Sequence, residues 1–238
     1  MSLFPSVKLD MNSELQASTQ LLRLLQLVSP SLPIGAYSYS EALETLTQAG
    51  TIATRAQLQH WIEADLRYGA ARLDGAIVVR VVRALQTEPV DWAIVQSWND
   101  WYGAARETEE LRNQSLQMGR SLFKVLKSLD PRLHCPLEGA LQLPIVFAIA
   151  IHTWGIDLNL ALLGYFQSWS SNLIAAGIKL IPLGQTDGQR LQWSLQPAIE
   201  AAVTTVVSLE DDELMTCGWG LAIASMQHEK LYSRLFRS

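Results

Sequence analysis

Across residues 139–178 the sequence carries a single charged side chain, Asp157. A stretch that poor in charge has to leave water, either for a protein core or for a bilayer. Crossing a bilayer takes about 20 consecutive apolar residues per helix. Here Gln142, Pro144, His152, Asn159, Gln167, Ser168, Ser170, Ser171 and Asn172 interrupt the run, and each half is short. Two buried helices are therefore expected, either both inside a large bundle or one of them facing another subunit, and no membrane span.

Helix signals continue on both sides. Ser13-x-x-Gln16 spells a capping box ahead of Leu21, Leu22, Leu24, Leu25 and Val28. Pro30 and Pro33 end that helix in a rigid turn, Ser29-Pro30-Ser31-Leu32-Pro33-Ile34-Gly35, where Gly35 is the permissive residue. Ser38 or Ser40 then caps a second helix ending at Gly50. Thr54-x-x-Gln57 opens a third helix through Leu58, Trp61, Ile62 and Leu66, and a fourth runs from Gly69 to about Gln86, with Pro89 as its stop. Trp92, Val95, Trp98 or Asn99, and Tyr102 keep three-to-four spacing. Leu111, Leu116, Met118, Leu122 and Leu126 line a further helix from Glu107. The loop of Pro131, Pro136 and Gly139 leads into the charge-poor pair. No segment alternates as a hairpin does, and no repeat or linker divides the chain. The reading is an all-α, single-domain multi-helix bundle over residues 1–238, with residues 1–15 expected to be mobile.

Basic and apolar groups alternate in the tail, His228-Glu229-Lys230-Leu231-Tyr232-Ser233-Arg234-Leu235-Phe236-Arg237-Ser238. At helical spacing Leu231 and Leu235 share one stripe and Tyr232 and Phe236 another. Large apolar groups on a chain end call for cover, so the tail is read as a docking segment for its own body or for a partner.

With 49% apolar and 17% charged residues the chain is not disordered, and a net charge of −5 offers no basic field for nucleic acid. Cys135 and Cys217 are too few for a disulfide framework, which fits a reducing compartment. Lys8, Asp10 and Glu14 break any export segment, so a cytoplasmic location is expected. His60, His134, His152 and His228 are scattered; the His134-Cys135 pair supplies two of the four donors of a tetrahedral site, so no metal site is expected. No Gly-x-Ser-x-Gly elbow occurs. Leu183-Gly184-Gln185-Thr186-Asp187-Gly188-Gln189-Arg190 lacks the Lys-Ser/Thr ending of a phosphate loop and reads as a polar loop or the rim of a protein interface. The competing class is an all-α enzyme with that loop over its pocket and Asp187 and Arg190 as polar groups. Attachment to a membrane through three basic tail residues, at about 1 kcal/mol each, is weak. Arg106 and Glu110 read as a solvated ion pair, His228-Glu229 as a surface or capping pair, and Glu210-Asp211-Asp212-Glu213 as the acidic first turn of a last helix. Most of the eight Trp belong in the core, with one or two left as interface anchors.

Four segments in order carry a resemblance: residues 24–40, from Leu24-Leu25-Gln26 through Pro33-Ile34-Gly35-Ala36-Tyr37-Ser38-Tyr39-Ser40; Ala105-Arg106-Glu107-Thr108; Leu183-Gly184-Gln185; and residues 228–238. Together they resemble the UreF family of urease accessory proteins. Tyr37 stands where many relatives carry Phe, Ala42 where Gly is common, and Glu109 where a basic residue is usual. The resemblance implies an all-α protein without a reaction or cofactor of its own. It implies pairing with UreD (also called UreH), dimerisation through the UreF subunit and recruitment of the GTPase UreG, so that nickel reaches apo-urease while partners handle nickel and GTP. Tyr232, Arg234, Leu235 and Phe236 are then expected at the UreD contact, and His228 among the partner-binding residues. Pro33, Gly35, Tyr37, Ser38 and Tyr39, with Arg106 and Glu107, are expected near the surface that meets UreG. Gln185 falls at an interface rim, and the charge-poor hairpin takes part in self-association.

Overall fold

The computed structural model describes residues 11–215 and 218–238, with side chains from residue 15 onward. The described residues form an all-α bundle. Its helices are α1 (Met11–Leu27), α2 (Leu43–Gln48), α3 (Arg55–Tyr68), α4 (Ala70–Leu85), α5 (Trp92–Ala105), α6 (Glu109–Leu129), α7 (Leu143–Thr153), α8 (Leu158–Leu180), α9 (Gln185–Ser194), α10 (Gln196–Ser208) and α11 (Trp219–His228). Short 3-10 turns lie at Ala36–Ser38 and Asp211–Glu213.

At the centre, α4 packs on α7 and is flanked by α3, α5, α8 and α10, while α6 covers the other side of α7. The sequence accounts for that placement. Every residue of α7 from Pro144 to Ile151 is buried, and Val78, Val79 and Val81 of α4 are sealed. A helix apolar all round is stable in water only when it is surrounded. Gly75 lets α4 close on Phe166 of α8, and a Cβ on Gly119 of α6 would collide with the Leu141 carbonyl before α7. Caps fall where hydroxyls and carboxylates stand: Thr54 accepts from the Gln57 N–H, Thr108 from Leu111 and Asp157 from Leu160.

Several expectations change. Helix α1 starts at Met11, so Ser13 lies inside it and residues 11–15 are helical; residues 1–10 lie outside the described part. The segment read as a polar loop at residues 184–190 is the first turns of α9, with Gly188 packed against Ile178. Two glycines suggested a turn, but Gly184 is the extended N-cap of the helix, and for Gly188 tertiary packing outweighs a helix cost of about 1 kcal/mol. The acidic run forms a 3-10 turn with its own capping box, and the last helix starts only at Trp219. Asp211 there meets the buried Arg80 at 2.8 Å. The charge-poor hairpin is mostly interior: α7 has no apolar outer face to offer, and the large apolar group that α8 exposes is Leu160. No helix among the described residues is long and apolar enough to cross a membrane.

Candidate functional site

The turn after α1 and the tail after α11 meet on one side of the bundle. Gly35 takes φ 81° and starts the 3-10 turn that lifts Tyr37 outward, 72% exposed. Tyr39 turns inward; its hydroxyl donates to Gln117 at 2.7 Å, and its carbonyl accepts from Asn172 of α8 at 3.2 Å. Pro33 is exposed and Ser38 half-buried.

The tail is not helical beyond His228. It runs as an irregular strap pinned by backbone hydrogen bonds. The Arg237 N–H donates to the Ser38 carbonyl at 2.8 Å, and the Ser40 N–H to the Ser238 carbonyl at 2.9 Å. The Ser40 hydroxyl donates to that same carbonyl at 2.6 Å. Glu44 of α2 accepts from the N–H groups of Leu235 and Phe236 at 2.8 and 3.0 Å. On the other flank Arg234 donates to Glu110 at 3.0 Å. His228 lies fully buried between these carboxylates, with Nδ1 3.0 Å from Glu110 and Nε2 3.5 Å from Glu44. The stripes expected from helical spacing therefore do not form. The irregular strap buries Phe236 beneath the Lys179 ammonium and leaves Tyr232 and Leu235 in solvent. His228 is a core clasp rather than a surface pair.

Arg106 also departs from expectation. Its guanidinium is buried with Asp74 at 3.5 Å and Glu107 at 3.9 Å, while Glu110 faces the tail. Spacing alone paired Arg106 with Glu110, but α5 ends at Ala105, so the two residues do not share a helix. Asp74 also accepts from the hydroxyls of Tyr102 at 2.6 Å and Tyr165 at 2.8 Å. Burial raises its carboxyl above the usual carboxylate range, opposed by Arg106. Asp74, Arg106 and Glu41 line a cavity of about 80 Å³ whose apolar wall includes Leu27, Ile34 and Phe147. Burial raises the Glu41 carboxyl likewise, with Arg106 again opposing. Arg106 is thus buried and Glu107 half-buried against it.

Gln185 is exposed at the start of α9, far in sequence from the turn and tail. Asp187 pairs on the surface with Arg190 at 3.5 Å and Arg55 at 3.7 Å, so these groups are engaged with each other. His134 packs edge-on to Trp92, and burial raises the thiol of half-buried Cys135. Among the described residues no three His, Cys, Asp or Glu side chains gather as metal ligands. Sequence reading missed Glu44 and Gln114 and gave Glu110 the wrong partner, because each acts through a residue more than 70 positions away in the chain and no local spacing marks it.

Fold and site together define a helical bundle centred on α4 and α7, with a tail strapped across one side that leaves Tyr37, Tyr232 and Leu235 exposed near it. The sequence profile of the UreF family matches residues 52–196, stopping short of both turn and tail. A urease accessory protein UreF of Nostoc sp. (strain PCC 7120 / SAG 25.82 / UTEX 2576) is 53% identical over 221 residues, covering 91% of this chain and 95% of that protein. The namesakes of Microcystis aeruginosa and Janthinobacterium sp. (strain Marseille) are 50% and 41% identical, each covering 92% of this chain and 98% of their own length. The chain belongs to the UreF family.

Proposed function

We propose that this protein is a non-enzymatic accessory protein of urease maturation, a scaffold that engages UreD (UreH), the GTPase UreG and apo-urease while nickel and GTP are handled by those partners. Family membership over nine-tenths of the chain supports the role. The observation that carries the docking reading is the strap: Leu235 stands out in solvent on a backbone N–H held by Glu44, and Tyr232 stands out in solvent between the backbone bonds at Leu231 and Leu235. Ordering them beforehand lowers the entropy cost of binding. UreD is assigned to that surface, with Arg234 at its edge and Phe236 and His228 as the anchors beneath. UreG is assigned to the neighbouring turn, where Tyr37 and Pro33 are outward and Gly35 sets the backbone. The two surfaces touch, since the Arg237 N–H donates to Ser38. Self-association is assigned to the outer side of α8 around Leu160, with Gln185 at a separate rim.

Light scattering after size exclusion, on the chain co-expressed with a UreD homologue, tests the role. A stable heteromeric peak of doubled stoichiometry is expected. A Tyr232→Ala, Leu235→Ala variant, which leaves the anchors in place, is expected to elute alone. Unchanged co-elution of that variant would remove the tail from the UreD contact, and a lone wild-type monomer would overturn the scaffold reading.

A further inference from the structure

Gln114 of α6 stands between the tail and the interior cavity. Its Oε1 accepts the Ser238 hydroxyl at 2.6 Å, and its Nε2 donates to Oε1 of Glu41 at 2.9 Å. The second oxygen of Glu41 accepts the indole N–H of Trp169 at 3.0 Å, and both Glu41 and Trp169 line the cavity. A parallel link runs through the backbone, because Ser40 is held to the Ser238 carbonyl by both its N–H and its hydroxyl. The next two residues, Glu41 and Ala42, have φ of 51° and 61°. Side chains with a Cβ enter that left-handed region at a cost of roughly 1–2 kcal/mol per residue, and they stay there only where the surroundings hold them. Here the holders on either side are tail residue Ser238 and Gln114. The other end of the same turn, Ile34 and Ala36, forms part of the cavity wall.

We propose that the tail is a latch on this cavity: seated, it holds residues 40–42 in their strained conformation with the Glu41 carboxylate turned inward onto Trp169, and lifted, it lets the turn relax and the Glu41 carboxylate withdraw. The latch goes beyond the scaffold role and does not depend on which protein meets the tail. Any event that lifts the strap is transmitted to the cavity through Gln114 and Ser40. By linkage the coupling is reciprocal, so a change at Glu41 must loosen the tail.

The indole N–H of Trp169 reports the inner end of the relay and the amides of residues 235–237 its outer end. In full-length protein labelled with ¹⁵N-tryptophan, the Trp169 indole resonance is assigned by Trp169→Phe. A chain ending at Lys230 is expected to move that resonance, and Ser238→Ala, which loses only a hydroxyl, to move it part of the way. Conversely, Glu41→Ala is expected to speed hydrogen exchange of the residue 235–237 amides about tenfold, as the loss of buried hydrogen bonds that hold a segment should. A Trp169 resonance unmoved in the shortened chain overturns the latch, as does unchanged tail exchange in Glu41→Ala. If the shortened chain fails to fold, Ser238→Ala decides alone, and an unmoved resonance in it overturns the latch.

Discussion

Helices α7 and α11 are both short, mostly apolar and nearly free of charge, yet they meet opposite fates. Helix α7 disappears into the bundle from Pro144 to Ile151. Helix α11 buries Leu221, Ala222, Ala224, Ser225 and His228 and turns Trp219, Ile223 and Met226 to solvent. Apolar composition says that cover is needed but not who supplies it. For α7 the cover is α4 and α6. For α11 it is half α2 and, through Thr108 and Ser225 at 2.8 Å, the start of α6, with the outer stripe left bare beside the exposed Tyr232 and Leu235 of the tail. The contrast separates surfaces that hold this chain together from surfaces available to other chains.

The sharpest way to break the contrast is to place the same charge on each helix. Ala148→Asp puts an unpaired carboxylate at a fully sealed position, a loss of about 4 kcal/mol or more. The variant is expected in the insoluble fraction or without a cooperative melt. Ile223→Asp, on a side chain 54% exposed, is expected to melt within a few degrees of wild type, a change of about 0.5 kcal/mol. Equal effects from the two would erase the distinction.

Polar groups divide in the same way. Arg106 is sealed against Asp74 and Tyr102, whereas the Arg234 side chain at the strap is 42% exposed. Arg106→Met leaves the buried Asp74 and Glu107 without their cation and is expected to cost about 3 kcal/mol. Arg234→Ala removes a solvent-screened pair and is expected to cost less than about 1 kcal/mol. Urea denaturation of the two variants checks the ratio.

A third comparison uses pH. Burial, reinforced by the charge of Glu41, pushes Asp65 up to about 8, and its Oδ1 accepts from the Ala70 N–H at 2.7 Å. The folded protein therefore holds this proton more tightly than the unfolded chain, whose Asp titrates near 3.9. The stability so gained is complete below about pH 4 and is lost as pH rises toward 8. Asp65→Asn keeps a neutral group of the same shape. Thermal melts of wild type should fall relative to Asp65→Asn between pH 5 and pH 8, and a constant difference would mean that Asp65 is ionised throughout.

Much of the bundle was legible because local chemistry sets it. Thr54 and Gln57 cap α3 as their spacing says, Gly35 takes its left-handed turn, and the charge-poor hairpin becomes α7 and α8. What spacing did not yield are contacts made across the fold. Arg106 read as a surface residue because its partner Asp74 lies on another helix, and His228 read as exposed because Glu44 and Glu110 come from distant segments. The tail read as a helix because Leu and aromatic residues recur at four, although backbone bonds to Glu44 and Ser38 hold it irregular.

The smallest effects are expected inside that tail, where Tyr232 and Phe236 are four residues apart and opposite in burial. Tyr232→Ala removes a side chain with no cover in this chain and should leave the melt unchanged, within about 0.5 kcal/mol. Phe236→Ala empties a sealed position, and in a helix core such a truncation costs about 3–5 kcal/mol. Here the loss is capped, because the strap can lift away while the bundle stays folded, so the global melt cannot fall by more than the free energy that docks the strap. Phe236→Ala should therefore shift the melt by about 1 kcal/mol at most while speeding exchange of the Leu235 and Arg237 amides. A loss near the full core value would mean that the strap and the bundle unfold as one unit.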